Sequence, residues 1–164
     1  MTHEGTTGVQ LIDDALIEAT LARARSSPRL RANHNLHANH AEGYHRFLNA
    51  WIRGTYAAPH RHVALPKPET FVVLRGTLAC FIFDDAGAVI QATVLGAGGV
   101  HGIDIGPGLW HTVLALSPEA VCLESKLGPW DAKTDKEFAP WAPLEGDPKA
   151  AAYAERLLTA VRQV

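Results

Sequence analysis

His60 and His62 stand two residues apart in PHRH, and Glu69 follows at the head of the strand-like run TFVVLRG. On an extended strand, residues two apart project to the same face. Strand rise sets their Cα atoms roughly 6.5–7 Å apart, a span that two imidazoles converging on one ion can bridge. Histidine nitrogens with one carboxylate oxygen suit a borderline divalent transition metal and leave positions for water or a ligand. His111, in GPGLWH, is the candidate to complete the set. With nine histidines in 164 residues, the H-x-H pair alone is a weak signal, because histidine is also a common surface residue.

The elements that must hold these residues are short strands. FLNAWIR, TFVVLRG, TLACFIFD, VIQATVLG, VHGIDIG, HTVLALS and AVCLESKLG are rich in Val, Ile, Leu, Phe and Thr. Turn signals separate them at Arg75 and Gly76, at 84–87, at 96–99, at Pro107 and Gly108, and at Ser117 and Pro118. Strands with tight turns and no helices between them predict an antiparallel sandwich or barrel. DDAG, residues 84–87, predicts a hairpin turn. Two inward-facing hairpins would then bring His60, His62 and Glu69 from one side and His111 from the other to a single ion.

Helices are predicted at both ends. Over 11–25, Ile12, Ala15, Leu16, Ala19 and Ala22 share a face, with Asp13 and Asp14 in the first turn. Residues 1–8 are polar and read as loose. Near the other end, Asp147 and Pro148 predict a cap, and Tyr153, Leu157, Val161 and Val164 an apolar stripe over 149–162. Between barrel and closing helix, PWDAKTDKEFAPWAPLEG fits no regular period, and Trp130, Phe138 and Trp141 are expected to cover apolar surface. The chain therefore reads as one domain, 1–164: a helix and His-rich segment (1–45), a barrel core (46–128), and a strap with a closing helix (129–164).

The His-rich segment RLRANHNLHANHAEGYHR carries His34, His37, His40 and His45 among asparagines that favour turns and caps. It reads as a pocket rim, a second metal site, or an exposed loop. Arg23, Arg25, Arg29 and Arg31 read as a solvated helix end. Composition is that of a soluble globular protein, with 47% hydrophobic and 20% charged residues. A net charge of −2 gives no field that favours nucleic acid or an anionic membrane, and no apolar run approaches a membrane span. No secretory signal is visible, so a cytoplasmic location is the default. Cys80 and Cys122 sit in apolar runs without C-x-x-C spacing and read as buried reduced thiols.

Gly54-x5-His60-x-His62-x6-Glu69-x6-Gly76 resembles the first motif of the cupin superfamily, and Pro107-Gly108-Leu109-Trp110-His111 the second. The resemblance implies an all-β jelly-roll barrel and makes His60, His62, Glu69 and His111 the expected ligands of one divalent metal: Fe, Zn, Mn or Ni. The six residues between His62 and Glu69 include Pro66 and Pro68 and exceed the usual spacing. SPRLRANHNLH, PHRH, ETFVVLRG, FDDAG, PGLWHTV and TDKEFAPWAP are similar to the WbuC-type cupin metalloproteins. Those are bacterial proteins associated with surface-polysaccharide biosynthesis. The resemblance implies a small polar or sugar-type ligand and a homodimer. It leaves the chain open between a metal-dependent enzyme, oxygenase or isomerase, and a non-catalytic binding or regulatory module. Asn33, His34, Asn35, His37, Arg53, Trp110 and Lys126 are the expected substrate-pocket residues.

Overall fold

The strand-forming runs pair into two antiparallel sheets that face one another. The computed structural model describes residues 8–64 and 66–161. Its strands are β1 (Arg31–Asn35), β2 (Tyr44–Ile52), β3 (His60–Arg61), β4 (Glu69–Arg75), β5 (Leu78–Phe83), β6 (Val89–Leu95), β7 (Gly102–Ile105), β8 (Trp110–Ala115), β9 (Glu119–Leu127) and β10 (Glu137–Phe138). One sheet has the order β1-β2-β9-β4-β7 and the other β10-β3-β8-β5-β6. This is the expected antiparallel jelly roll. Helices α1 (Asp14–Ser26) and α2 (Ala150–Val161) flank it.

Three apolar layers explain why several strands lack alternation. Between the sheets lie Trp51, Phe71, Leu78, Cys80, Ile82, Leu95, Val113 and Cys122. Outside the second sheet, Phe81, Phe83, Trp110 and Leu114 pack under α2 through Leu157, Leu158 and Val161. Strands β5 and β8 are thus covered on both faces, and every residue in them is buried. Outside the first sheet, α1 lays Ile17, Leu21 and Ala24 on Leu48, Ala50 and Val121. The 84–87 turn forms as expected: the Asp84 carboxylate accepts from the Ala86 and Ala88 amides. Gly76 turns β4 into β5 at φ +72°, where a Cβ would come within 2.2 Å of the Glu119 carbonyl.

The structure corrects several sequence expectations. The buried face of α1 is Ile17, Thr20, Leu21 and Ala24, while Ile12, Ala15, Ala19 and Ala22 are exposed. Thr20 can be buried because its hydroxyl donates to the Leu16 carbonyl within the helix. Asp13 is the N-cap, its side chain accepting from the Leu16 amide. In α2, Leu157 and Val161 are buried as expected, joined by Ala150 and Leu158. Residues 1–7, Arg162 and Val164 lie outside the described residues. The His-rich segment opens with a real strand, since β1 pairs along its whole length with β2. As an edge strand facing a polar cavity, it needs no apolar pattern. The strap likewise contributes β10, paired to β3. Both cysteines are buried and free, and burial pushes the Cys80 thiol up to about 12. Among the described residues, no helix is long and apolar enough to cross a membrane.

Candidate metal centre

His60 and His111 are register partners on β3 and β8, so their side chains emerge side by side from one sheet. Their ring centroids are 4.5 Å apart, and His62 lies 5.3 Å from His60 and 5.9 Å from His111. Glu69 arrives from the opposite sheet as the first residue of β4. The long His62-to-Glu69 interval is therefore a crossing between sheets and not a hairpin, and that distance is what its length spans. One ligand-type atom from each of the four residues lies within 4.8 Å of all the others, and all four residues are buried.

The hydrogen bonds fix what faces the centre. His60 Nδ1 meets the Ala58 carbonyl at 3.0 Å, His111 Nδ1 the Leu109 carbonyl at 2.9 Å, and His62 Nδ1 the Asp135 carbonyl. A carbonyl only accepts, so each Nδ1 is the protonated nitrogen, which turns the lone pair of Nε2 inward. Inside, His62 Nε2 and His111 Nε2 each lie 2.9 Å from a Glu69 oxygen. His62 Nε2 has no hydrogen-bond partner there. Lone pairs thus face a buried carboxylate, an arrangement that needs positive charge between them. Protons shared with Glu69 or a bound cation would supply it, and burial, with Lys136 and His111 nearby, holds His60 well below the ordinary imidazole range. Three imidazole nitrogens and a carboxylate fit a divalent transition metal. Burial alone would raise the Glu69 carboxyl, but His111, His62 and Lys126 outweigh it and hold the group ionised.

The centre opens into a cavity of about 540 Å³. Of the expected pocket residues, Asn33, Asn35, His37 and Lys126 line it, and His34, Arg53 and Trp110 do not. Alternation on β1 turns Asn33 and Asn35 inward and His34 outward, where it bonds Gln10. Arg53 is exposed in the turn after β2, its amide donating to the Pro118 carbonyl. Trp110 alternates with His111 and faces the layer under α2, donating to Asp85 with Arg61 4.1 Å over its ring.

Other lining residues were not anticipated. Asn49 donates to Glu124 at 2.8 Å, and burial pushes the Glu124 carboxyl up. Lys126 Nζ lies 3.1 Å from Glu69 and 3.2 Å from Asp135, which Lys67 also holds at 2.6 Å. Arg31, expected at a solvated helix end, sits on β1 over the Trp51 ring and pairs with Glu145. Trp141 covers apolar surface as expected, whereas Trp130 and Phe138 line the cavity. Glu124 could have been found beside the expected Lys126 in CLESK, where two charged residues two apart interrupt an apolar strand.

Fold and site together define a cupin-type jelly roll with a buried three-histidine, one-glutamate cluster. Residues 12–95 match the family described as "Domain of unknown function (DUF6016)", and the chain belongs to that family. The match contains His60, His62 and Glu69 and ends before His111. No curated protein matches the chain. Among solved structures, it is similar to the capsular polysaccharide assembling protein CapF from Staphylococcus aureus, with 18% identity and a TM-score of 0.57 over 68% of this chain and 32% of CapF. It thus spans about a third of that protein. It is also similar to an oxalate oxidase solved with the substrate analogue glycolate, with 23% identity and a TM-score of 0.55 over 92% of this chain and 83% of that one. These likenesses concern the fold.

Proposed function

We propose that this is a metal-binding protein in which His60, His62, Glu69 and His111 hold one divalent transition metal, Fe, Zn, Mn or Ni. The observation that carries the reading is the inward-facing set of Nε2 lone pairs around an ionised, buried Glu69. A bound ion would supply Lewis-acid polarisation of a ligand oxygen. The chain's own groups would position that ligand: Asn33, Asn35 and His37 at the rim, Asn49 and Glu124 along the wall, and Lys126 beside Glu69. Burial raises the Glu124 carboxyl, which favours its protonated form relative to an exposed carboxylate.

The substrate class we propose is a small polar or sugar-type molecule in surface-polysaccharide metabolism, handled in the cytoplasm by a homodimer. The similarity of the motifs to WbuC-type proteins supports this, as does the fold likeness to a capsular polysaccharide assembling protein. Elemental analysis tests the metal: about one ion per chain in wild type, and little in His60→Ala and His111→Ala. Turnover of a panel of nucleotide sugars by the loaded protein, with oxygen uptake followed, then separates enzyme from binder. Saturable binding without turnover would favour a non-catalytic module.

A further inference from the structure

The cavity has a second polar end. His37 and His45 stack with ring centroids 4.2 Å apart and an interplanar angle of 3°, 6% and 2% exposed. Both line the cavity, and the Nε2 of each is buried without a partner. A buried polar nitrogen left unpaired is costly, so its persistence at a cavity wall points to a ligand that supplies the missing bond. His40 lies 6.2 Å from each ring, and Trp130, at 4.9 Å from His40, is 40% exposed. Asn33 and Asn35 add amides that both donate and accept.

We propose that His37, His45 and Trp130 form a subsite for the hydroxyl groups and C–H face of a polyhydroxylated ligand whose other end reaches the metal centre. This rests on the metal reading above. Charge distribution argues for hydroxyls over an anion at this end. Two imidazoles stacked this closely resist both being charged, and burial, with His37 beside it, lowers His45. The cavity's Arg29 and Arg31 already pair with Glu145, and Lys126 with Glu69 and Asp135. Lys136 acts at the other end, near His60. Neutral groups that donate and accept, beside an aromatic plate, match alternating hydroxyls and C–H bonds.

The register gives the reach. His45 pairs with Lys126, and Lys126 with Glu69, so the row runs across three adjacent strands. Two strand spacings put the His45 and Glu69 backbones about 10 Å apart. A six-carbon polyol chain can bridge the side chains between them.

Calorimetric titration of the metal-loaded protein with glycolate and with D-gluconate tests this. The two share a metal-chelating 2-hydroxycarboxylate, but only gluconate carries the hydroxyl tail. Gluconate should bind at least about tenfold more tightly, and His37→Phe and the surface variant Trp130→Ala should each remove most of that advantage while retaining metal. Imidazole nitrogen spectra should show the His37 and His45 Nε2 signals shifting with gluconate alone. Equal affinities in wild type, binding of neither acid, or an advantage that survives both variants would overturn the subsite. A protein that takes up no metal would instead overturn the metal reading.

Discussion

At the scale of single residues, Lys126 joins the candidate metal centre to the rest of the cavity. Burial alone would lower it, but Glu69, Glu124 and Asp135 together push its pKa up, so it stays a cation inside the barrel. Lys126→Met leaves two carboxylates with reduced compensation, and removing one partner of a buried pair costs about 3–5 kcal/mol. An ion at Glu69 would supply part of the lost charge. The variant should therefore lose most stability when metal-free and recover a larger share than wild type on loading, as read by denaturant unfolding with and without metal. The candidate ligands were legible in the sequence, because two histidines two apart and a later histidine near a Pro-Gly turn are local signals. Asp135 was not, because it lies in the irregular strap, and only the fold brings its carboxylate to Lys67 and Lys126.

At the scale of elements, the strap is more than a cover. Asp135 is buried; its carbonyl accepts from His62 Nδ1, and its carboxylate holds Lys67 and Lys126. One strap residue thus orients an imidazole of the candidate metal centre and anchors the strap across both sheets. Partners behind metal ligands commonly change metal affinity by 10–100-fold. Asp135→Asn, which weakens the anchor on two buried lysines, should lower affinity for Zn²⁺ by about tenfold or more. Conversely, loading wild type should slow hydrogen exchange across 130–139, and unchanged exchange would argue against the coupling. For α1, Leu21→Ala should cost about 2–5 kcal/mol because Leu21 is fully buried between helix and sheet, whereas Ala19→Ser should be close to neutral. The helix was legible, but its buried face was not: small alanines dominate the exposed side too, and only packing against Leu48 and Val121 decides which stripe turns inward.

At the scale of the molecule, the two sheets contribute ligands from opposite sides, so a bound ion would tie them together. Binding confined to the folded state should stabilise it by about 4 kcal/mol at a thousandfold excess over Kd, raising Tm in a concentration-dependent way that a chelator reverses. The barrel was legible from short apolar runs separated by turns, and the motif spacing pointed to a cupin. Strand β1 was hidden because an edge strand beside a cavity carries polar residues on its inner face, and β10 because it is only two residues long. The measurement closest to the central claim is X-ray absorption of the loaded protein. Three imidazole scatterers and one oxygen-type protein ligand are predicted, with the imidazole count falling to two in His111→Ala if that variant still retains an ion. An unchanged imidazole count in His111→Ala, or an ion without imidazole scattering in wild type, would contradict the four-residue centre.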